Sequence, residues 1–167
     1  VLSTRRAYGA ALAALGADQR IVALDGDVKN STFAEYFAQK YSDRYFEGRI
    51  AEQNMVSTAV GLAAAGKVPF ISSFAKFLIR GYDQFEMGAI TNANLKLCGS
   101  HAGVSLAADG PSQMALPDLA FMRAFAHAKR MDGRPACRVF LPCDAVSAFK
   151  LTEMMANHIG LCYMRTH

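Results

Sequence analysis

Short runs of apolar residues alternate with segments of helical periodicity along this 167-residue chain. The runs do not switch between apolar and polar positions, which is typical of strands that are buried on both faces. Such strands belong to parallel sheets that helices cover on both sides. We predict strands at Arg20–Asp25, Tyr45–Phe46, Val68–Ser72, Leu95–Gly99, Arg138–Leu141 and Leu161–Arg165.

The segments between these runs carry residues that start and stop helices, namely hydroxyl side chains at the beginning and glycines at the end. The predicted helices run from Ser3 or Thr4 to Gly16, from Ser31 or Thr32 through Phe33 and Phe37, and over Ala51–Ala65, Lys76–Ile90, Gln113–Phe125 and Ala145–Ala156. This order predicts one doubly wound α/β domain over residues 1–167, with a mainly parallel sheet of about six strands and helices on both faces.

The composition is apolar for a free-standing domain, with 52% apolar and 19% charged residues, so we expect part of the surface to meet a partner. No run has the length of a membrane span, which favours a soluble protein. The net charge is +4, but lysine and arginine are scattered, so nucleic-acid binding is not expected. The four cysteines lack zinc-ligand spacing, and we expect reduced thiols in a cytoplasm.

In parallel sheets, ligands bind beyond the carboxyl ends of the strands, and the loops at these ends are rich in polar groups here. Four of the five carry a charged residue or a histidine. The loop that begins Asp25-Gly26-Asp27 has neither dinucleotide-binding nor P-loop spacing, so we do not interpret it as a phosphate cradle. The five loops cover residues 25–31, 72–74, 99–101, 142–144 and 165–167.

Glu52 begins a helix whose next two turns are almost entirely small or apolar. One interpretation is an acid that stabilises the helix dipole by about 0.3–1 kcal/mol. The other is a partly buried carboxylate whose pKa is raised, so that it can hold or pass a proton near neutral pH. The residues alone favour the first interpretation.

Two further groups have both a structural and a functional interpretation. Phe74 and Phe77 fit a core, but they follow a strand end, where two rings could clasp a flat heterocycle. The glycine-rich loop after the fourth predicted strand fits a plain surface loop, but it also places His101 and Asp109 at a strand end.

Taken in order, six segments of the chain resemble the middle, pyrimidine-binding domain of transketolase. The resemblance extends from Arg5 to Arg165, and the Gly-Ser-His loop followed by Asp-Gly-Pro-Ser-Gln favours transketolase over other thiamine diphosphate enzymes. The six segments are Ser3–Arg5, Leu24–Phe33, Ile50–Met55, Ser73–Phe77, Gly99–His101 and Asp109–Leu116.

The resemblance implies a role for each polar group at the strand ends. Glu52 would hydrogen-bond the aminopyrimidine ring of thiamine diphosphate and drive the tautomer that activates the cofactor. Phe74 and Phe77 would pack on that ring, and Gln113 and Asp27 would lie close to the cofactor. His101 and Asp109 would contact hydroxyl groups of the sugar substrate, and His101 is also implied as catalytic. Arg5, Ser31 and Arg165 would bind the phosphate group of the substrate.

The family reaction moves a two-carbon ketol unit from a ketose phosphate to an aldose phosphate, a reaction of the pentose phosphate pathway. The diphosphate and Mg²⁺ would be held by a separate domain, usually from the other subunit of a homodimer. The metal-binding motif of that domain does not occur in this sequence. We therefore expect a part of a larger enzyme that is inactive alone.

The sequence departs from the family pattern at two places. Residues 128–137 form a longer and more basic connection, and Leu106-Ala107-Ala108 lacks an acid that often precedes the Asp-Gly-Pro turn. One alternative is a non-catalytic assembly or regulatory module. Another is a different thiamine diphosphate enzyme, such as deoxyxylulose phosphate synthase or the β subunit of a 2-oxo acid dehydrogenase, against which His101 and Arg165 argue.

Overall fold

The computed structural model describes the backbone of residues 2–167, and all of their side chains except those at positions 105 and 107. Six parallel strands form one sheet in the order β2-β1-β3-β4-β6-β5. The predicted fold class, a doubly wound parallel sheet, is therefore confirmed. The strands are β1 (Ile21–Asp25), β2 (Tyr45–Glu47), β3 (Val68–Phe74), β4 (Lys96–Ser100), β5 (Cys137–Phe140) and β6 (Leu161–Arg165).

Helices cover both faces of the sheet, and the sheet separates two apolar clusters. Successive side chains of a strand point to opposite faces, so Val22 and Leu24 join one cluster, whereas Ile21 and Ala23 join the other. This explains why the strands have continuous apolar sequences. The helices are α1 (Thr4–Leu15), α2 (Lys29–Thr32), α3 (Glu35–Lys40), α4 (Glu52–Ala64), α5 (Ala75–Leu78), α6 (Tyr82–Ile90), α7 (Asp118–His127) and α8 (Ala145–Asn157).

Short 3₁₀ segments complete the fold at Ser42–Arg44, Ile79–Gly81 and Gly103–Asp109. In the described part of the chain, no helix combines the length and the apolar character needed to cross a membrane. From β1 the chain goes to β2 on one side of the sheet, whereas from β3 it goes to β4 on the other side. The carboxyl ends of β1 and β3 therefore border a topological switch point, where such sheets bind ligands.

Three predicted helices differ from the observed ones. The helix predicted from Gln113 begins at Asp118, because Pro117 precedes it and Gln113 lies in a turn after Gly110. The helix predicted through Phe33 is divided into α2 and α3, since Phe33 has a left-handed φ of 63°. The predicted helix 76–90 is divided into α5, a 3₁₀ turn and α6.

The break at Phe33 depends on a close approach to α1. A Cβ built on Gly9 would lie 2.4 Å from the carbonyl oxygen of Phe33, which is backbone and cannot rotate away. Gly9 therefore lets the loop before α3 rest directly on α1.

We predict that Gly9→Ala lowers the free energy of unfolding by about 1–3 kcal/mol, because the added methyl group overpacks this contact. The matched control is Gly61→Ala in the exposed middle of α4, where an added Cβ meets nothing within 4 Å. That control should raise stability by roughly 0.5–1 kcal/mol, as alanine is the better helix former. Urea denaturation checks both values, and a neutral Gly9→Ala would contradict the packing argument.

Candidate active site

Glu52 is the first residue of α4 and is 3% exposed, so its carboxylate is nearly removed from water. Arg80 Nη1 donates to Glu52 Oε1 at 2.9 Å. The Arg80 side chain is 55% exposed and also lies over the ring of Phe77, with its Cζ 5.1 Å from the centroid. The buried acid thus has a cationic partner at the protein surface, a partner that the sequence pattern did not indicate.

A pocket of about 180 Å³ opens beside the Glu52 carboxylate. It combines one buried acid and one arginine with apolar walls, at the switch point between β1 and β3. A larger concavity of about 780 Å³ lies elsewhere, near the ends of β5 and β6, and is lined mainly by apolar groups. We assign the site to the smaller pocket because it contains the buried carboxylate. Its lining residues are Gly26, Asp27, Val28, Ile50, Glu52, Phe77 and Arg80.

Aromatic contacts extend from this pocket to the end of β4. The rings of Phe74 and Phe77 are nearly parallel, with an interplanar angle of 9° and centroids 5.1 Å apart. They stack on each other, so the predicted clasp around a heterocycle between them is not formed in this structure. The ring of His101 stacks on Phe74 at 4.2 Å. Phe77 is half-buried, since Phe74 stacks on its ring and Arg80 lies over the same ring.

His101 is held in an unusual backbone conformation directly after β4. Its φ is 52°, which is uncommon for a residue other than glycine and is often found at functional sites. The Ser100 hydroxyl lies 2.9 Å from His101 Nδ1. Burial, reinforced by the charge of Arg5, lowers the pKa of His101 to about 4, although Asp109 opposes the shift. The imidazole is therefore neutral at neutral pH.

The segment after β1 places Asp27 at the pocket, whereas Ser31 lies in α2 and does not line it. Asp27 lines the pocket with Glu52, is exposed, and has a left-handed φ of 66°. Its amide donates to Glu47 Oε1 at 3.0 Å. Arg5 Nη1 donates to the carbonyl oxygen of Ser31 at 2.8 Å, which links this segment to the start of α1.

The beginning of α1 is also tied to the end of β6. The Thr4 hydroxyl donates to the His167 carbonyl oxygen at 3.0 Å, and the His167 amide donates back to the hydroxyl at 2.7 Å. The Arg5 amide donates to the same carbonyl oxygen at 3.2 Å. Arg5 and Arg165, which were predicted to bind one phosphate group, therefore lie on elements that are bonded to each other.

Asp109 and Gln113 lie in the long loop between β4 and α7. Asp109 ends the 3₁₀ segment, is exposed, and lies near enough to His101 to raise its pKa. Gln113 is half-buried in a turn, where its backbone amide donates to the Gly110 carbonyl oxygen at 3.3 Å. Neither residue lines the pocket beside Glu52.

Arg165 is less exposed than its predicted role suggested, because its side chain packs against Asp118. Arg165 Nε lies 3.3 Å from Asp118 Oδ2, and Nη2 donates to the Ala115 carbonyl oxygen at 3.1 Å. Only 16% of the Arg165 side chain is exposed. Asp118 was missed at the sequence level because it was placed inside a longer helix.

Asp25 is a second acid that the sequence analysis did not select as a site residue. It is fully buried at the end of β1, where Oδ1 accepts from the Val28 amide and Oδ2 from the Thr32 hydroxyl, both at 2.7 Å. Burial raises the pKa of Asp25 to about 7. The sequence feature that could have indicated Asp25 is its position as an acid at the end of a five-residue buried strand. Its two bonds close the loop that carries Asp27 and Ser31.

Comparisons with known proteins show the family of this chain. The sequence model of the family "Transketolase, pyrimidine binding domain" matches residues 1–167. This chain belongs to that family. Human transketolase (Homo sapiens) is 53% identical over 167 residues, which cover 99% of the chain and 25% of that protein. Transketolase-like protein 1 of Bos taurus is 49% identical over 168 residues and 27% of its length. The chain thus spans about a quarter of the length of these relatives.

Solved structures show the same fold. Transketolase from Campylobacter jejuni superposes with a TM-score of 0.86 at 20% identity, over 99% of this chain and 25% of that one. A split-gene transketolase, described as an inactive β4 tetramer, superposes with a TM-score of 0.79 at 36% identity, over 99% and 51%. The pyrimidine-binding domain assignment is therefore supported by sequence and by fold.

The raised pKa of Asp25 predicts a specific pH dependence of stability. Above about pH 4 the unfolded carboxyl ionises, whereas the folded one stays protonated up to about pH 7. The contribution of Asp25 to the free energy of unfolding is therefore fully present below pH 4. It decreases by roughly 1–4 kcal/mol as the pH rises to 7.

The measurement is the free energy of unfolding of the wild type and of Asp25→Asn in urea, from pH 4 to pH 8. Subtracting the two curves removes the contribution of all other titrating groups. The difference should change mainly between pH 4 and 7, and a constant difference would show that Asp25 titrates at an ordinary pKa.

Proposed function

We propose that this chain binds the pyrimidine ring of thiamine diphosphate in a transketolase, with Glu52 as the group that holds the proton at that ring. The observation that carries the proposal is a carboxylate only 3% exposed beside a pocket at the switch point of the sheet. A buried acid of this kind is expensive to keep unless it has a partner or a function.

The residues of the pocket fit an aminopyrimidine. Ile50, Val28 and Phe77 provide apolar walls, and Glu52 provides the acceptor that a ring amine or protonated ring nitrogen requires. When bound, thiamine diphosphate supplies the nucleophilic carbon that carries the transferred unit. Phe74 supports the site from behind, since it stacks on Phe77.

Arg80 determines how the Glu52 carboxylate is presented. It bonds Oε1, and a carboxylate has a second oxygen that can accept from a second donor. Because Arg80 is half exposed while Glu52 is buried, the ion pair fixes the carboxylate without closing the pocket. We infer that Glu52 meets the pyrimidine ring with Oε2.

The reaction proposed is transfer of a two-carbon ketol unit between sugar phosphates, as in the pentose phosphate pathway. Neutral His101 and nearby Asp109 are suited to hydrogen bonds with sugar hydroxyls. Asp27 and Gln113 are assigned to the surroundings of the cofactor. The phosphate group is assigned to Arg5, Ser31 and Arg165, which lie on elements tied together at the start of α1.

A diphosphate-binding domain, from another subunit of a homodimer, completes the proposed site. Among the described residues, no group of three or more His, Cys, Asp and Glu side chains could hold a metal. Mg²⁺ is assigned with the diphosphate to that second domain, as the resemblance to transketolase implies. The split-gene relative described as inactive supports the need for such a partner. The four cysteines are free, which supports the proposed cytoplasmic location.

The test uses the assembled enzyme, meaning this chain together with a diphosphate-binding domain. We predict that Glu52→Gln lowers ketol transfer about 100-fold or more, because the amide keeps the shape but cannot hold and release the proton. The matched control is Glu86→Gln, an exposed acid on α6 that does not line the pocket.

Coupled kinetic assays with sugar phosphates give the rate, and thermal unfolding shows whether the variants fold. If Glu52→Gln folds and keeps its rate, the chain is a non-catalytic assembly module. Turnover by the purified 167-residue chain without a partner would contradict the proposed shared site.

A further inference from the structure

A buried carboxylate and a buried phenol lie beside Arg165, apart from the pocket that holds Glu52. Asp118 is 1% exposed, and Tyr163 is fully buried in β6. The Tyr163 hydroxyl donates to Asp118 Oδ2 at 2.6 Å, and Arg165 Nε lies 3.3 Å from the same oxygen. The phenol and the guanidinium therefore meet at one oxygen of one carboxylate.

The backbone of the long loop holds Arg165 from a second side. The Ala115 carbonyl oxygen accepts from Arg165 Nη2 at 3.1 Å and from the Gly103 amide at 3.0 Å. Gly103 has a φ of 60°, and a Cβ built on it would lie 2.8 Å from Arg165 Nη2. The loop therefore needs glycine at this position to pack on the guanidinium.

Two of the three guanidinium nitrogens face the protein: in the described part of the chain, Nε forms an ion pair with Asp118 without a hydrogen bond, and Nη2 donates a hydrogen bond to Ala115. Within residues 2–167, Nη1 therefore remains for an anion. Arginine suits this arrangement because its planar fork presents several donors in fixed directions.

The position of the guanidinium depends on the charge of Asp118. An arginine with 16% of its side chain exposed has lost most of its hydration, and a facing carboxylate offsets that cost. Without this charge, the long side chain is more stable turned toward water. Tyr163 bonds the carboxylate itself, so its removal leaves the ion pair in place.

We propose that Asp118 is a positioning residue that holds the guanidinium of Arg165 at the carboxyl end of β6, where it binds the phosphate group of a sugar phosphate. This inference rests on the proposed function, which assigns Arg165 to that phosphate. Asp118 itself touches neither substrate nor cofactor.

The test compares a phosphorylated with an unphosphorylated donor, fructose 6-phosphate and fructose, in the assembled enzyme. Asp118→Asn keeps the size of the side chain and removes its charge. We predict that it raises KM for fructose 6-phosphate roughly ten-fold, with kcat changed little and the kinetics with fructose unchanged. Tyr163→Phe is the matched control, and it should change neither KM, because the ion pair survives.

Two further variants separate the possible failures. Arg165→Met should reproduce the phosphate-specific loss, and if it does not, the proposed phosphate role of Arg165 is wrong. If Arg165→Met shows the loss but Asp118→Asn does not, only the positioning role is overturned. Equal effects of Asp118→Asn and Tyr163→Phe on both donors would mean that the cluster merely supports the fold.

Asp118→Glu covers the case in which Asp118→Asn does not fold. This variant keeps the charge but displaces it. We expect a smaller rise in KM, which is again confined to the phosphorylated donor. Calorimetric titration with ribose 5-phosphate and with ribose gives the same comparison without turnover. Equal losses of affinity for ribose 5-phosphate and for ribose in Asp118→Glu would overturn the proposal, because the effect would then not be specific to the phosphate group.

Discussion

The parallel pairing of β1 with β3 is the constraint on which the rest of the structure depends. Five consecutive residue pairs join these strands, from Ile21 with Val68 to Asp25 with Ser72. Because the intervening chain must cross over the sheet, it places β2 on the outer side of β1 and returns through α4. The first residue of α4 therefore arrives at the carboxyl ends of both strands. Glu52 is buried there as a consequence of chain topology, and no local feature of its helix is needed.

A row of polar side chains crosses the sheet just below this crevice. Asp25, Ser72 and Cys98 are neighbours in register on β1, β3 and β4. Each has a partner: Thr32 for Asp25, the Tyr8 hydroxyl for Ser72 at 2.7 Å, and Thr166 for Cys98 at 3.6 Å. Polar groups this deep are tolerated because they are hydrogen-bonded. The row joins α1, α2 and β6 to the strand ends, so the loops that form the site begin from fixed points.

The sequence allowed the strands and the fold class to be predicted, since buried parallel strands leave clear local patterns. The functional role of Glu52 was implied only by the resemblance to transketolase, because the residues alone favoured a structural role. Arg80 and Asp118 left no such pattern. Their importance comes from contacts across the fold, with Glu52 and with Arg165. Two predicted helix boundaries were wrong for different reasons. At Pro117 a local constraint overrode the apolar periodicity, and at Phe33 the close approach to Gly9 of α1 imposed a break in the helix. The roles of all the predicted site residues, Glu52 included, remain predictions.

The mutual hydrogen bonds of Thr4 and His167 place the first helix and the last strand side by side. A domain whose entry and exit lie together can be inserted into a longer polypeptide, or encoded separately, with little change to its interior. The chain matches a quarter of human transketolase and half of a chain of a split-gene transketolase. The same bonds put Arg5 and Arg165 at that junction. A segment joined at this junction would border the phosphate end of the proposed site.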